Sequence, residues 1–207
     1  MTVQAERPRL VDGFPEARRA AVARLFWAAF SDKLGRIMAP EDRALVFLER
    51  ALRPDHAISA LDAEEQVLGV AGLKTEAGGL LAAGFRELAD VYGVMGALWR
   101  SPILDLTERR IAAGQVLIDG VFVAPEARGR GIGTSLIEAV VARAGSLGLR
   151  EVRLDVIDTN PRAAALYLRL GFRPVTTRRL GPLGWALGYS AYTTMVRPLT
   201  GAAHTPG

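Results

Sequence analysis

The sequence predicts one domain of mixed α/β (α+β) class, and three observations carry that expectation. An apolar run, Val116 to Val123, leads directly into a glycine-rich stretch and then into a helix-like run, Ser135 to Ala144. Elsewhere strand-like and helix-like segments alternate, with no internal repeat and no linker between them. The 207 residues, 50% of them apolar, suffice for one well-buried core rather than two.

In chain order, a short strand falls at Arg9 to Val11. Gly13-Phe14-Pro15-Glu16 reads as a helix start, with proline in the first turn and an acid at the positive end of the dipole. Val22, Leu25, Phe26 and Ala29 form one face of that helix. Pro40-Glu41-Asp42 opens a second helix with Leu45, Leu48 and Leu52 on one side, and Pro54 ends it. His56 to Leu61 and Gln66 to Leu73 are strands joined by the polar turn Asp62-Ala63-Glu64-Glu65. From Leu80 to Leu104 the pattern is helical: Phe85, Leu88, Tyr92, Met95 and Trp99 recur at helical spacing, although Gly93 and Gly96 weaken it. This stripe reads as core rather than as a substrate cage.

After the helix that follows the glycine stretch, closed by Gly148, Glu151 to Val156 forms a strand. Pro161 to Leu170 is a short helix with Gly171 as its C-cap. Val175 to Leu180 and Ser190 to Arg197 finish as strands around the apolar, glycine-rich segment Gly181 to Gly188. The domain is expected to span residues 1–199, with Thr200 to Gly207 a disordered tail.

Composition excludes several classes. The chain has no cysteine, which removes disulfides, thiolate metal sites and a cysteine nucleophile. With only His56 and His204, no metal site is expected. Charged residues interrupt every candidate membrane span, so no membrane partner is expected. The first residues lack a charged region followed by an apolar one, so the expected location is cytoplasmic. Residues 1–103 carry 13 basic and 14 acidic side chains, and residues 104–207 carry 13 and 8. The positive excess thus lies with the glycine stretch and favours an anionic ligand. Nucleic acid is not expected, because the arginines are not interleaved with aromatics in a patch.

The stretch itself is Val123-Ala124-Pro125-Glu126-Ala127-Arg128-Gly129-Arg130-Gly131-Ile132-Gly133-Thr134. Three glycines at alternate positions allow a tight turn and leave successive N–H groups unshielded, just ahead of a helix whose dipole presents its positive end. A P-loop would need lysine after the last glycine, where Thr134 and Ser135 stand; the chain's lysines are Lys33 and Lys74. A dinucleotide fingerprint needs Gly-x-Gly-x-x-Gly near the start of a βαβ unit, and this loop is Gly-x-Gly-x-Gly, late in the chain.

The stretch resembles the acetyl-coenzyme A loop of the GNAT superfamily of N-acetyltransferases, whose Gln/Arg-x-x-Gly-x-Gly/Ala signature is matched by Arg128, Gly131 and Gly133. A second match lies downstream. Asn160-Pro161-Arg162-Ala163-Ala164-Ala165-Leu166-Tyr167-Leu168-Arg169-Leu170-Gly171-Phe172 agrees with the superfamily's Asn-x-x-Ala-x-x-Leu-Tyr-x-x-x-Gly-Phe at every defined position. The resemblance is specific from Val116 to Phe172 and only topological over the first hundred residues. It implies a central, mostly antiparallel mixed sheet of about six to seven strands flanked by helices, with acetyl-coenzyme A as acetyl donor and no metal.

By that resemblance, the amides of Gly129, Arg130, Gly131, Ile132, Gly133 and Thr134 wrap the diphosphate, and Arg128 or Arg130 meets a phosphate. Val121, Phe122 and Val123 pair with the pantetheine arm, and their amides polarise the thioester carbonyl. Asn160 and Ala163 belong to the cofactor side, although Asn160 reads equally as a helix N-cap. Tyr167 stands where the superfamily keeps its general acid, and a phenol can protonate a leaving thiolate without much opposing driving force. Its other reading is packing, with Leu166 and Leu170, on a buried helix face.

Asp119-Gly120 reads either as a β-bulge that would splay the strand from its neighbour or as plain strand or tight turn. Asp119 is the candidate base, sharing the face of Val121 and Val123 unless a bulge intervenes; His56 is a second candidate. The resemblance places the acceptor among Phe30 to Met38, the Phe85 to Trp99 stripe and Gly181 to Tyr189. Trp27, Phe30, Tyr92, Trp99, Trp185 and Tyr189 supply an aromatic wall, or else core or a dimer surface. The expected activity is acetyl transfer to a primary amine of a small molecule; a peptide acceptor and a silent acetyl-coenzyme A sensor are the alternatives.

Overall fold

A computed structural model describes residues 8–82, 84–107, 111–181 and 188–199. Trp185 and the tail from Thr200 to Gly207 lie outside the described residues. Strand β1 (Arg9–Asp12) leads through a 3-10 turn (Glu16–Arg18) into α1 (Arg19–Met38), and α2 (Glu41–Ala51) follows. Then come β2 (Ala57–Leu61), β3 (Val67–Thr75), the two-residue β4 (Gly78–Gly79) and α3 (Phe85–Thr107). The second half holds β5 (Gln115–Val123), α4 (Ile132–Ser146), β6 (Glu151–Ile157), α5 (Pro161–Arg169), β7 (Arg173–Arg179) and β8 (Ala191–Pro198).

The strands form one open sheet in the order β1-β2-β3-β5-β6-β8-β7, with β4 paired to β3. Among the described strands every pairing is antiparallel except that of β5 with β6. That is the mixed, mostly antiparallel sheet the sequence implied, with the short β4 in addition.

Alternation along the strands builds two apolar layers, one on each face. Val22, Ala23, Phe26 and Trp27 of α1 join Phe47 and Leu48 of α2, Leu88 and Tyr92 of α3, and Val70 and Phe122 of the sheet. On the other face Leu136, Ile137, Val140 and Val141 of α4 cover Val116, Ile118, Val152, Leu154 and Val156.

Several local expectations shift. Ala29 is exposed, and the buried face of α1 runs instead through Val22, Ala23, Phe26 and Trp27. The stripe on α3 is core only at Leu88 and Tyr92, and Phe85 at its start is exposed. Gly93 has φ 74° and ψ 163°, which interrupts the helix and resets its phase. Beyond the break Ala97 is buried, while Met95 is 77% and Trp99 46% exposed. The expected aromatic wall is therefore dispersed: Trp27 and Tyr92 sit in the core and Trp99 stacks under Arg100 at 4.1 Å.

Tyr92 fastens α3 to the end of α1. Its hydroxyl donates to the Met38 carbonyl at 2.6 Å, and Arg100 donates to the carbonyls of Ile37 (2.7 Å) and Ala39 (3.1 Å). Burial pushes the Tyr92 hydroxyl up to about 12, against the opposing pull of Arg100. A hydroxyl raised above its unfolded value stabilises the fold fully below pH 10 and loses that contribution as pH rises towards about 12. Tyr92→Phe should cost about 1 kcal/mol at neutral pH. In urea unfolding the difference between wild type and variant should shrink from pH 10 upward.

Candidate functional site

The parallel ladder of β5 and β6 stops early. It runs from Gln115 opposite Glu151 to Ile118 opposite Leu154, while β5 continues to Val123 on β3 and β6 to Ile157 on β8. The cause is one extra residue. On the β3 side Gly72 pairs with Gly120 but Leu73 pairs with Ile118, so Asp119 is inserted as a β-bulge. Past this point the two strands form a fork.

Among the described residues, the backbone of the β5 arm past Asp119 has a strand partner on the β3 side alone. Ala124 N–H donates to Leu68 O at 2.9 Å. Antiparallel alternation then turns the amides of Phe122 and Gly120 towards β3 and those of Val121 and Val123 into the fork. The Val123 carbonyl is met there by Arg128 Nε at 3.3 Å.

At the tip of the same arm lies the glycine loop. Gly129 and Gly131 have φ of 76° and 78°, and a Cβ on either would meet nothing within 4 Å. Gly131 is the N-cap of α4, which starts at Ile132 rather than at Ser135, with no side-chain cap. The six amides from Gly129 to Thr134 meet no acceptor among the described residues. Buried Ile132, Leu136 and Ile137 anchor the helix behind them. Arg130 is exposed and lines, with Arg9, Asp62 to Glu65 and Leu68, a cavity of about 470 Å³ beside the loop.

On the other arm, α5 follows directly from β6. Asn160 is its N-cap and accepts from Ala163 N–H at 3.1 Å. Tyr167 packs into the α4 layer, with its ring centroid 6.0 Å from that of Phe172. Burial raises its phenol above the usual range. Glycine loop and Tyr167 helix thus hang from the two tips of one fork.

The bulge overturns one expectation. Ile118 and Val121 both pack in the α4 layer, so the two residues between them fall on the opposite face. Gly120 does so visibly, because a Cβ there would lie 2.8 Å from Phe30 Cζ of α1. Asp119 therefore faces the α1 side, not the side of Val121 and Val123. His56 stands beside β2 and β4, separated from β5 by β3.

The sequence reading missed Asp155. It alternates with Val152, Leu154 and Val156, as a solvent-facing polar phase does, yet its side chain is 1% exposed. Thr194 Oγ1 donates to it at 2.7 Å and Arg153 lies 3.6 Å away. Its one sequence signal was an aspartate at the centre of an otherwise β-favouring strand.

A model of the acetyltransferase (GNAT) family matches residues 19–172. The chain belongs to that family. Thialysine N-epsilon-acetyltransferase of Bos taurus is 39% identical over 61 residues, which are 30% of this chain and 36% of the relative. Mycothiol acetyltransferase of Geodermatophilus obscurus is 34% identical over 103 residues, 50% of this chain and 32% of the relative. The matches span about a third of each of these relatives.

Among solved structures, a Corynebacterium glutamicum protein described as histone acetyltransferase and related acetyltransferase superposes with a TM-score of 0.64 at 19% identity, over 96% of this chain and 100% of that one. A phosphinothricin acetyltransferase from Sinorhizobium meliloti, solved in complex with acetyl-coenzyme A, gives 0.52 at 19% identity, covering 94% and 89%. Both likenesses are of fold.

The two signature glycines of this GNAT chain differ physically. Gly131→Ala forces a side chain into left-handed backbone and should cost about 1–2 kcal/mol. Gly133→Ala lies in the helix with its nearest neighbour, Val123 Cγ2, 3.9 Å from the new Cβ, and should be neutral or stabilising by about 0.5–1 kcal/mol. Chemical denaturation of the two variants separates the cases.

Proposed function

We propose that this chain transfers an acetyl group from acetyl-coenzyme A to a primary amine of a small molecule, by direct attack while both are bound. The observation that carries the reading is the fork with its unpaired amides. A diphosphate fits the six N–H groups at the start of α4 that meet no acceptor among the described residues, with Arg128 and Arg130 in the same loop. An extended amide-bearing arm fits the unpaired edge at Val121 and Val123, beside Phe122. The two curated relatives described above are named for small-molecule acceptors, thialysine and mycothiol, which favours that acceptor class.

Acetyl-coenzyme A supplies the acetyl group as a thioester. The β5 amides donate to the thioester oxygen as negative charge develops on it. Asn160 and Ala163 order the first turn of α5 and so hold Tyr167 in place. Tyr167 gives its proton to the leaving sulfur as the carbon–sulfur bond breaks. Burial suits it to that role, since a raised phenol stays protonated through neutral pH. Asp119, on the α1 face, accepts the proton that the amine loses as the carbon–nitrogen bond forms.

Tyr167→Phe should lower turnover about a hundredfold or more while acetyl-coenzyme A affinity by calorimetry stays within about twofold. Unchanged turnover in the variant would remove the acid role. A thiol-release assay over polyamines, amino acids, aminoglycosides, aryl amines and peptides tests the activity itself. Donor binding without transfer to any amine would make the chain a sensor instead.

A further inference from the structure

Strand β7 closes one end of the sheet, and among the described residues it pairs with β8 alone. All seven of its residues are exposed, Val175 to 66%, so neither of its faces is covered by the described residues. Just past it, Leu180 N–H donates to the Ser190 carbonyl at 2.9 Å. Antiparallel alternation then turns the backbone groups of Arg178 towards β8 and the amides and carbonyls of Thr177 and Arg179 outward. The outer edge thus offers a row of donors and acceptors, with β-favouring Val175, Thr176 and Thr177 at its centre.

The charge of this edge is of one sign. β7 and β8 carry four arginines and no carboxylate. Arg197 is ion-paired with Glu138 at 2.8 Å, while Arg173, Arg178 and Arg179 have no ion pair among the described residues. Arg173 stands opposite Val196 and Arg178 opposite Tyr192, so the two share a face. The register shift between Pro174 and Thr176 is what brings them together, since five residues of regular strand would set them on opposite faces. They lie about 13 Å apart along the edge, and Arg179 points to the other face.

We propose that β7 takes up an acidic, extended segment of a partner protein as a further strand of the sheet. Carboxylates four residues apart on that segment meet Arg173 and Arg178, and its main chain bonds to Thr177 and Arg179. A second copy of this chain does not fit. β7 against its twofold mate sets arginines against arginines, and on the opposite edge, β1, Asp12 is already held by Arg143 at 3.0 Å. A nucleic acid would satisfy the guanidinium groups but would turn phosphates towards the outward carbonyls, and β7 has no aromatic on which a base could stack. The arginines thus repel another β7 and attract an acidic strand. The inference is independent of the acetyl-transfer reading.

The test is fluorescence anisotropy with a labelled peptide containing Glu-Val-Thr-Val-Glu, set against one with lysines for the glutamates and one with prolines for the valines. The acidic strand peptide should bind about tenfold tighter than either control. Arg173→Glu and Arg178→Glu, both at exposed positions, should each weaken it about tenfold. In hydrogen exchange the amides of Thr177 and Arg179 should gain protection when it binds. Equal binding of the proline peptide, or unchanged protection, would leave attraction by charge alone and overturn strand addition. Tighter binding of an oligothymidylate would assign the edge to nucleic acid, and self-association abolished by Arg178→Glu would assign it to a second copy. Either result overturns the acidic strand, as does the absence of binding by the acidic peptide.

Discussion

One inserted residue governs the molecule. Without Asp119 the β5–β6 ladder would continue past Ile118 and Leu154, and the amides of Val121 and Val123 would be spent on β6. The bulge ends that pairing where the parallel strands need to part. It also flips the phase of β5, so that Phe122 joins the α1–α3 layer while Val121 and Val123 pack with α4. The same event opens a gap, leaves hydrogen-bonding groups in it and sorts side chains between two faces.

The exposed donors around that gap are held by what lies behind them. Six consecutive amides with no acceptor among the described residues would be a liability in a buried position. Here they lie at a solvent-facing turn where water can serve them, and where an anion can replace that water. Left-handed Gly129 and Gly131 set the turn, and buried Ile132, Leu136 and Ile137 fix the helix end against the sheet. Donors fixed in this way need little reorganisation on binding, which is the condition for electrostatic stabilisation to act.

The half of the chain that builds the fork was legible because its rules are local. A glycine needs its left-handed φ at the turn, and asparagine before proline caps α5 as its spacing implied. The bulge at Asp119 was one of two open readings, and only the register against β3 decides between them. The face of Asp119 followed from that register. What the sequence hid is tertiary. Gly93 changes the phase of α3, and period counting cannot show which way the chain re-enters the helix. Asp155 sits in the polar phase of β6, and its burial arises from neighbours distant in sequence such as Thr194 on β8.

The two faces also constrain the chemistry that the fork can support. Glycine loop and Tyr167 lie on the α4 side, while Asp119, Asp155 and Phe30 lie on the α1 side. A donor held by the loop reaches acceptor groups only through the opening between β5 and β6. A covalent acyl-enzyme route would need a nucleophile at that opening, and the chain has no cysteine to offer. The proposed direct attack requires only that the amine meet the thioester in the gap. Opposite faces hold the group proposed to give a proton and the group proposed to take one apart. The bulge that opens the sheet thereby also sets Asp119 on the face away from Tyr167.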